Sequence, residues 1–476
     1  MSRQVLIIHG WSDSSKSFHT LADFLRNQGY QTTELWLGDY VSMDDDVHVS
    51  DVGKRMGSVI DEMIGAGSLS DSFDVIVHST GGLVAREWLT THYRGRAQEC
   101  PMKRMIMLAP ANYGSKLAAT GKSMLGRIVK GYDNWFQTGQ GMLDDLELGS
   151  PYQWELAQRD ILVAPGADGT ARYYGADRVW PFVIVGTHPY TSLLRQIVNE
   201  NGADGTVRVC AANLNAQGIT IDCRESDPAR AITAWGSRLD GVSIPLAVLP
   251  TRTHASIIDP ERAHRDTQEN IVETPEERAQ LGQFILEALR CSDFDQYRQI
   301  QAQWQDFSEQ TAERRKQAEH PDFYHQYLQV NFDVSDDDGR GIEDYFLEFF
   351  SNTGKKNDEA NVYLHRSVIE DVKVNSQNKS CRNIYFDRTD LLEGYYPKLP
   401  NSSDPVLYLS ISAAAPGKNI RYFDDQKVGA DVEIPIHFQS EAAARWLKRN
   451  SSHFVRIILP RHPVDKVFRL TRYDQA

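Results

Sequence analysis

The first 290 residues alternate between short apolar runs and segments whose apolar residues recur at helical spacing. Short continuous apolar runs are typical of strands buried in a parallel sheet, and apolar residues three and four apart indicate helices with one buried face. The predicted strands are Val5–His9, Gln31–Leu37, Asp74–Val77, Met105–Leu108, Phe182–Val185 and Ile244–Leu249. The predicted helices are Lys16–Gln28, Asp51–Met63, Gly82–Tyr93 and Pro275–Leu289. This alternation predicts an α/β domain with a mostly parallel sheet over residues 1–290.

The alternation stops between residues 112 and 172. This segment is rich in glycine and carries large apolar residues, among them Leu117, Trp135 and Phe136, without strand-like runs. An insertion of this kind between two strands of a sheet predicts a helical lid or cap.

The last third of the chain has a different pattern. Residues 291–320 are polar and helical in character, which predicts a connecting helix. Beyond them, residues 321–476 contain four strand-like runs and one short helical stretch. The runs are Val406–Ile411, Val432–Phe438, Phe454–Leu459 and Val467–Leu470, and the helical stretch is Ser440–Lys448. We therefore expect a separate β-rich accessory domain.

Composition and charge exclude several classes of function. The chain of 476 residues has 41% hydrophobic residues and a formal net charge of −14, so it is a globular protein without the positive field that nucleic-acid binding needs. Its five cysteines are scattered and form neither a disulfide framework nor a zinc motif, and we expect no metal and no cofactor. The N-terminal apolar run is too short for a signal sequence, and no run approaches the length of a membrane helix. These features predict a cytoplasmic protein as synthesised, with signal-independent export as an alternative.

The most informative segment is Val75–Arg86, in which Ser79 separates a strand-like run from a helix-like one. A serine at a sharp strand-to-helix turn projects its hydroxyl above the sheet, and the backbone N–H of the next residue, Thr80, can stabilise negative charge. Gly81 and Gly82 supply the small residues that this turn needs. Val77 stands where the G-x-S-x-G pattern has its first glycine.

A second backbone N–H donor to an oxyanion is usually supplied by a loop after an early strand. His9-Gly10-Trp11 ends the first predicted strand, so the backbone N–H of Trp11 is the candidate partner of the Thr80 N–H. We interpret His9 as a structural residue that holds this loop.

A nucleophilic serine needs a histidine base and an acid that orients it. His254 follows the last predicted strand, whereas the competing His188 follows an earlier strand and is more readily interpreted as lining a pocket. Asp204 lies between serine and histidine in a loop of turn residues, with Asp222 as the second candidate.

These segments together resemble the lipase and esterase branch of the α/β-hydrolases. The matching strings are His78–Arg86, His9–Trp11, Leu108–Ser115, Asp204–Val207 and Thr253–Ile257. Bacterial triacylglycerol lipases, the lecithin–cholesterol acyltransferase group and the GPI-inositol deacylase-like esterases are similar. The resemblance covers residues 1–290 and implies an α/β-hydrolase fold with Ser79, Asp204 and His254 as the triad. His78, Tyr113 and His188 are further candidates for substrate binding.

The sequence therefore predicts hydrolysis of a carboxylic ester, and the apolar predicted lid favours a lipid-like ester. Acyl transfer, or cleavage of an amide or thioester by the same nucleophile, stays open because these reactions share their oxyanion chemistry. The alternative from another class of function is a protein in which the hydrolase fold serves only for binding or targeting. For the C-terminal domain we expect docking to a membrane surface or to a protein partner.

Overall fold

The computed structural model describes residues 4–119, 139–190, 199–224, 232–261, 265–266, 271–351, 359–399, 406–422, 434–437 and 447–473. In chain order the strands are β1 Gln4–Ile8, β2 Leu35–Gly38, β3 Phe73–His78, β4 Met102–Leu108, β5 Leu162–Val163, β6 Trp180–Gly186, β7 Ala216–Asp222, β8 Ile232–Ala234, β9 Gly236–Ser237, β10 Leu246–Leu249, β11 Arg265–Asp266, β12 Ile271–Val272, β13 Tyr327–Asp336, β14 Tyr345–Phe350, β15 Ile369–Val374, β16 Cys381–Asp387, β17 Val406–Ala413, β18 Ile420–Arg421, β19 Ile434–His437, β20 Ser451–Leu459 and β21 His462–Pro463. The α-helices are α1 His19–Asn27, α2 Val49–Gly65, α3 Gly81–His92, α4 Lys116–Ala119, α5 Gln140–Leu146, α6 Pro151–Asp160, α7 Val209–Ala212, α8 Pro275–Arg290, α9 Phe294–Glu313, α10 Glu359–Tyr363 and α11 Arg388–Asp390.

A parallel sheet organises the N-terminal part of the chain. Its strand order is β10-β6-β4-β3-β1-β2, and each of these neighbours pairs in parallel. Every residue of β3 is buried, and its apolar run Val75–Val77 is typical of such a strand. The buried Asp74 pairs with Arg104 at 2.7 Å. The predicted α/β fold with a mostly parallel sheet is confirmed.

Local sequence signals determine where the helices around this sheet begin. Thr274 caps α8 through its Oγ1, which accepts a hydrogen bond of 3.2 Å from the backbone N–H of Glu277, and Pro275 occupies the first helical position. The predicted connector contains α9, which packs on the edge strand β10. There Trp304 is fully buried, and the Thr311 hydroxyl donates to the backbone oxygen of Val248 at 2.9 Å.

The described part of the predicted lid is packed into the fold and does not form a separate flap. Residues 120–138 of that segment lie outside the described residues. The remainder includes α5, α6 and β5, and in α6 Leu156 and Ala157 are fully buried. Asp160 at the end of α6 forms a buried ion pair with Arg86 of α3. The described part of the insertion therefore belongs to the body of the unit built on the parallel sheet.

A second, mixed six-stranded sheet has the order β15-β16-β13-β20-β7-β8. Its long strand β20 pairs in parallel with both β13 and β7. Since β7 and β8 lie between residues 216 and 234, the second sheet contains chain from both sides of residue 290. The predicted division of the chain at that residue thus does not coincide with the division between the sheets.

The structure contains some of the predicted C-terminal strands and not others. Val406–Ile411 and Phe454–Leu459 lie in β17 and β20, and the described part of the run Val432–Phe438 is β19. The predicted helix Ser440–Lys448 falls largely on residues outside the described ones. The predicted strand Val467–Leu470 is wrong, because a 3-10 turn ends at Val467 and Leu470 lies 90% exposed in an extended tail. None of the helices in the described part of the chain combines the length and apolar character needed to cross a membrane.

Candidate active site

Ser79 lies in the tight turn between β3 and α3. Its backbone φ is +53°, a left-handed conformation that non-glycine residues rarely adopt. The turn packs so closely against the end of β1 that a Cβ on Gly81 would lie 2.7 Å from the backbone oxygen of His9. A Cβ on Gly10 would lie 2.7 Å from the Cβ of Ser79. Two glycines therefore allow the loop after β1 to approach the serine.

The structure brings Ser79, His254 and Asp204 into one chain of contacts. Nε2 of His254 lies 3.0 Å from Oγ of Ser79, and its Nδ1 lies 2.8 Å from Oδ2 of Asp204. Ser79 follows β3, Asp204 lies in the loop after β6, and His254 follows β10. The three side chains meet at the carboxyl ends of parallel strands, where open α/β sheets form their sites.

A tight turn orients Asp204 toward His254. Its Oδ1 accepts hydrogen bonds from the backbone N–H groups of Thr206 (3.0 Å) and Val207 (2.8 Å), while Oδ2 faces His254. The backbone oxygen of Asp204 also accepts a 2.9 Å hydrogen bond from the backbone N–H of His254. Asp204 is therefore joined to His254 through both its side chain and its backbone.

His78 supports the same histidine from the other side. Its Nε2 donates a 3.1 Å hydrogen bond to the backbone oxygen of His254. Burial and the neighbouring His254 together hold the pKa of His78 well below its usual range, so the ring is neutral. This contact holds the backbone of His254, and the His78 side chain also reaches the wall of the cavity over Ser79.

The loop that carries His254 has a buried anchor. The guanidinium of Arg252 forms a 3.0 Å ion pair with Glu273 and donates to the backbone oxygens of Ser256 and Asp259 at 3.3 and 3.2 Å. A buried, paired arginine of this kind fixes the backbone on either side of the histidine.

The loop after β1 presents the second predicted oxyanion donor. Within the described residues, the backbone N–H groups of Trp11 and Thr80 make no hydrogen bond to the protein. His9 holds this loop: its Nε2 accepts from the backbone N–H of Tyr40 at 3.2 Å, so Nδ1 carries the proton and donates to the backbone oxygen of Gly10 at 2.7 Å. The ring of His9 also stacks on Tyr40, with centroids 4.4 Å apart.

A cavity of about 390 Å³ opens above Ser79. One part of its wall is polar and another is apolar, and several of the residues that line it lie outside the motifs found in the sequence. The lining consists of Trp11, Ser12, Asp13, Ser17, His78, Ser79, Thr80, Ser115, Leu117, Leu146, Tyr190, Thr206, His254, Ala255 and Ile258. Ser115 and Thr206 lie within the matching segments Leu108–Ser115 and Asp204–Val207, and that position is the signal by which they could have been found.

Three candidates from the sequence lie elsewhere. Tyr113 is fully buried and donates to the backbone oxygen of Leu214 at 2.8 Å, so it does not line the cavity. His188 is buried with its Nδ1 2.9 Å from the backbone oxygen of Pro189, while the cavity wall after β6 is formed by Tyr190. Asp222 lies at the end of β7 and binds Arg224.

Comparison with known structures decides the fold. Phospholipase PlaB from Legionella pneumophila superimposes with a TM-score of 0.76 and 24% identity, over 99% of this chain and 96% of that one. The same phospholipase in complex with thio-NAD gives a TM-score of 0.77, again at 24% identity, over 99% and 97% of the two chains. The chain has the α/β-hydrolase fold. No family model matches the sequence, and no curated protein matches it. The likeness of fold covers the second sheet as well as the α/β-hydrolase unit.

Proposed function

We propose that this protein is a serine hydrolase that cleaves a carboxylic ester of lipid-like character. The observation that carries the proposal is the continuous contact from Ser79 Oγ through His254 to Asp204, with both distances within hydrogen-bond range. Nucleophile, base and orienting acid are thus in the order that acyl transfer requires.

The geometry supports a two-step reaction. Ser79 Oγ attacks the ester carbonyl carbon while Nε2 of His254 accepts the hydroxyl proton. Asp204 keeps the proton on Nδ1 and stabilises the imidazolium. His254 then returns its proton to the leaving alcohol as the carbon–oxygen bond breaks, which leaves an acyl-enzyme. Water then attacks the acyl carbon while the same nitrogen accepts its proton. His254 returns this proton to Ser79 Oγ as the bond between Oγ and the acyl carbon breaks, which releases the carboxylic acid and restores the Ser79 hydroxyl.

The oxyanion of each tetrahedral intermediate would be bound by the backbone N–H groups of Trp11 and Thr80. Backbone donors fixed before the reaction cost no reorganisation when negative charge develops, which makes this contribution large. The close packing of Gly10 on Ser79 brings the Trp11 backbone to the same side as the nucleophile.

The apolar part of the cavity supports a lipid-like acyl group. Leu117, Leu146 and Ile258 line it close to Ser79, and the polar side chains of Ser12 and Thr206 lie on other parts of the wall. The protein whose structure superimposes on this chain is named a phospholipase, and this name supports an ester substrate with one apolar and one polar end.

Labelling of the full-length protein with a fluorophosphonate probe tests the nucleophile. We expect labelling of the wild type and none of Ser79→Ala, while Ser17→Ala, which changes a serine of the same cavity, keeps its label. Persistent labelling of Ser79→Ala would place the nucleophile elsewhere.

A series of p-nitrophenyl esters, followed by phospholipid vesicles, tests the substrate class. We expect kcat/KM to increase with acyl length, because each methylene buried in the cavity adds about 0.8 kcal/mol of transfer free energy. A flat response to chain length and to lipid aggregates would refute the lipid part of the proposal. Product analysis with an alcohol acceptor present distinguishes hydrolysis from acyl transfer.

A further inference from the structure

The loop that carries Asp204 is bound to the second sheet. We call residues 199–208 the acid loop. At its end, the buried guanidinium of Arg208 pairs with Glu200 at 2.8 Å and with Asp371 of β15 at 3.0 Å. The same guanidinium donates to the side-chain oxygen of Asn383 in β16 at 2.6 Å. A single arginine therefore joins both ends of the acid loop to two strands of the second sheet.

Aromatic residues of the second sheet hold the middle of the acid loop. The hydroxyl of Tyr385 donates to the backbone oxygen of Asn201 at 2.7 Å, and the Tyr385 ring lies 4.1 Å below the guanidinium of Arg208. Gly202 has a φ of +65°, and a Cβ there would lie 2.0 Å from the ring of Tyr327. The loop backbone is thus packed directly against the face of the sheet.

These contacts continue directly to the acid. Ala203 and Arg208 form an antiparallel bridge, and Asp204 lies in the turn that this bridge closes. The backbone N–H of Val209 donates to the backbone oxygen of Gly202 at 2.9 Å, which fixes the base of the turn. Movement of Asn201 or Arg208 would therefore move Oδ2 of Asp204 relative to His254.

We propose that Tyr385 and Asp371 are positioning residues, through which the second sheet holds Asp204 in contact with His254. This inference rests on the proposed function, because it assigns the second sheet a part in the same triad. A displacement of one ångström in a catalytic contact is enough to slow a reaction strongly. The second sheet is on this account a structural part of the active site.

A double-mutant cycle with the full chain tests the proposal. The variants are Tyr385→Phe, Asp204→Asn and the two combined, with an activated p-nitrophenyl ester as substrate. We expect Tyr385→Phe to lower kcat about 3- to 10-fold with little change in KM, because positioning affects the transition state rather than substrate binding. In the Asp204→Asn background we expect the same substitution to change kcat less than about twofold, because the contact it maintains is already lost.

Tyr345→Phe is the matched control. Its buried hydroxyl also donates to a backbone oxygen, that of Ser380 at 3.0 Å. Tyr345 lies in β14, which belongs to the separate three-stranded sheet β14-β17-β19 and not to the second sheet. We expect its kcat to equal that of the wild type. If Tyr385→Phe fails to fold, Asp371→Asn takes its place in the cycle, since it weakens the Arg208 contact without changing the shape of the side chain.

The outcomes separate this inference from the function on which it rests. An inactive wild type whose Ser79 is not labelled by a fluorophosphonate would refute the proposed function. An active wild type whose positioning variant is equally active, or loses the same factor in both backgrounds, would refute the positioning role alone.

Discussion

Gly10 lies where the site leaves no room for a larger side chain. The space for its Cβ is already taken by the Cβ of Ser79 at 2.7 Å and by the backbone oxygen of His78 at 3.3 Å. Neither neighbour is the free end of a flexible side chain, because Ser79 is held in a strained turn and His78 ends the central strand. An added methyl group must therefore displace the loop that carries the Trp11 N–H.

We expect Gly10→Ala to lower kcat by about two to three orders of magnitude, the loss associated with removal of one oxyanion donor. The free energy of unfolding should change far less, since the added methyl displaces a loop rather than the core. Steady-state kinetics on a p-nitrophenyl ester, together with a urea unfolding curve, measures both quantities.

Gly38→Ala is the control for this substitution. Gly38 ends the neighbouring strand β2, and its Cβ would make only ordinary contacts, the nearest at 3.6 Å. We expect near wild-type kcat. Full activity in Gly10→Ala would show that the loop after β1 takes no part in oxyanion binding.

At the scale of elements, the ion pair between Arg86 and Asp160 joins two helices that are distant in sequence. Nε of Arg86 in α3 lies 2.8 Å from Oδ2 of Asp160 in α6, and both side chains are fully buried. Tyr174 donates a further hydrogen bond of 2.9 Å to this carboxylate. The pair anchors the inserted segment to the helix that follows Ser79.

We expect Asp160→Ala to destabilise the protein by about 3–5 kcal/mol, because it leaves the Arg86 guanidinium charged and unpaired in the interior. Urea denaturation followed by tryptophan fluorescence measures the loss. For the exposed pair of Asp177 and Arg178, with the aspartate side chain 59% exposed, we expect Asp177→Ala to cost about 1 kcal/mol or less. Equal losses in the two variants would contradict the anchoring role of the buried pair.

Elements whose identity depends on local signals could be predicted from the sequence. β3, the turn at Ser79 and α3 are contiguous, so the apolar run, the serine and the two glycines predict them together. The strand β7 was not predicted, because nothing in a short apolar run reveals that its partner is β20, more than two hundred residues further along the chain.

The direction in which a side chain points is the second feature that could not be predicted from the sequence. Tyr113 and Ser115 lie two residues apart in one matching string, yet only Ser115 faces the cavity. The conformation of the chain after β4 decides between them, and this conformation depends on contacts with Ala211 and Leu146 that lie far away in sequence. The acid loop is a similar case, because its supports come from β15 and β16.

At the scale of the whole molecule, β20 lies in the middle of the second sheet and passes close to the hydrolase unit. Phe454 of β20 packs edge-on against Tyr113, and the hydroxyl of Ser452 donates to the backbone oxygen of Cys210 at 2.9 Å. The second sheet and the α/β-hydrolase unit therefore share one buried boundary, and loss of either is expected to affect the other.

His453 makes the opposite face of β20 sensitive to pH, because its side chain points away from those of Ser452 and Phe454 and lies beside Ser451. Burial, reinforced by the positive charges of Lys448 and Arg388, lowers the pKa of His453 from 6.5 to about 3. The folded protein therefore keeps the ring neutral at a pH where the unfolded chain, with a pKa near 6.5, binds a proton. Since the unfolded state binds more protons between these two values, the free energy of unfolding falls as the pH falls from about 6.5 toward 3. From pH 7 to pH 5 the contribution of this residue amounts to a loss of about 2 kcal/mol.

Urea unfolding of the wild type and of His453→Gln at pH 7 and pH 5 measures this contribution. We expect the wild type to lose about 2 kcal/mol more than the variant between the two values, because glutamine does not titrate. Other groups titrate in the same range in both proteins, so the difference between the two losses isolates His453. His320→Gln, which changes an exposed histidine, should leave the loss of the wild type unchanged. Equal losses in wild type and His453→Gln would mean that His453 accepts a proton in the folded protein, and that water reaches the face of β20 on which it lies.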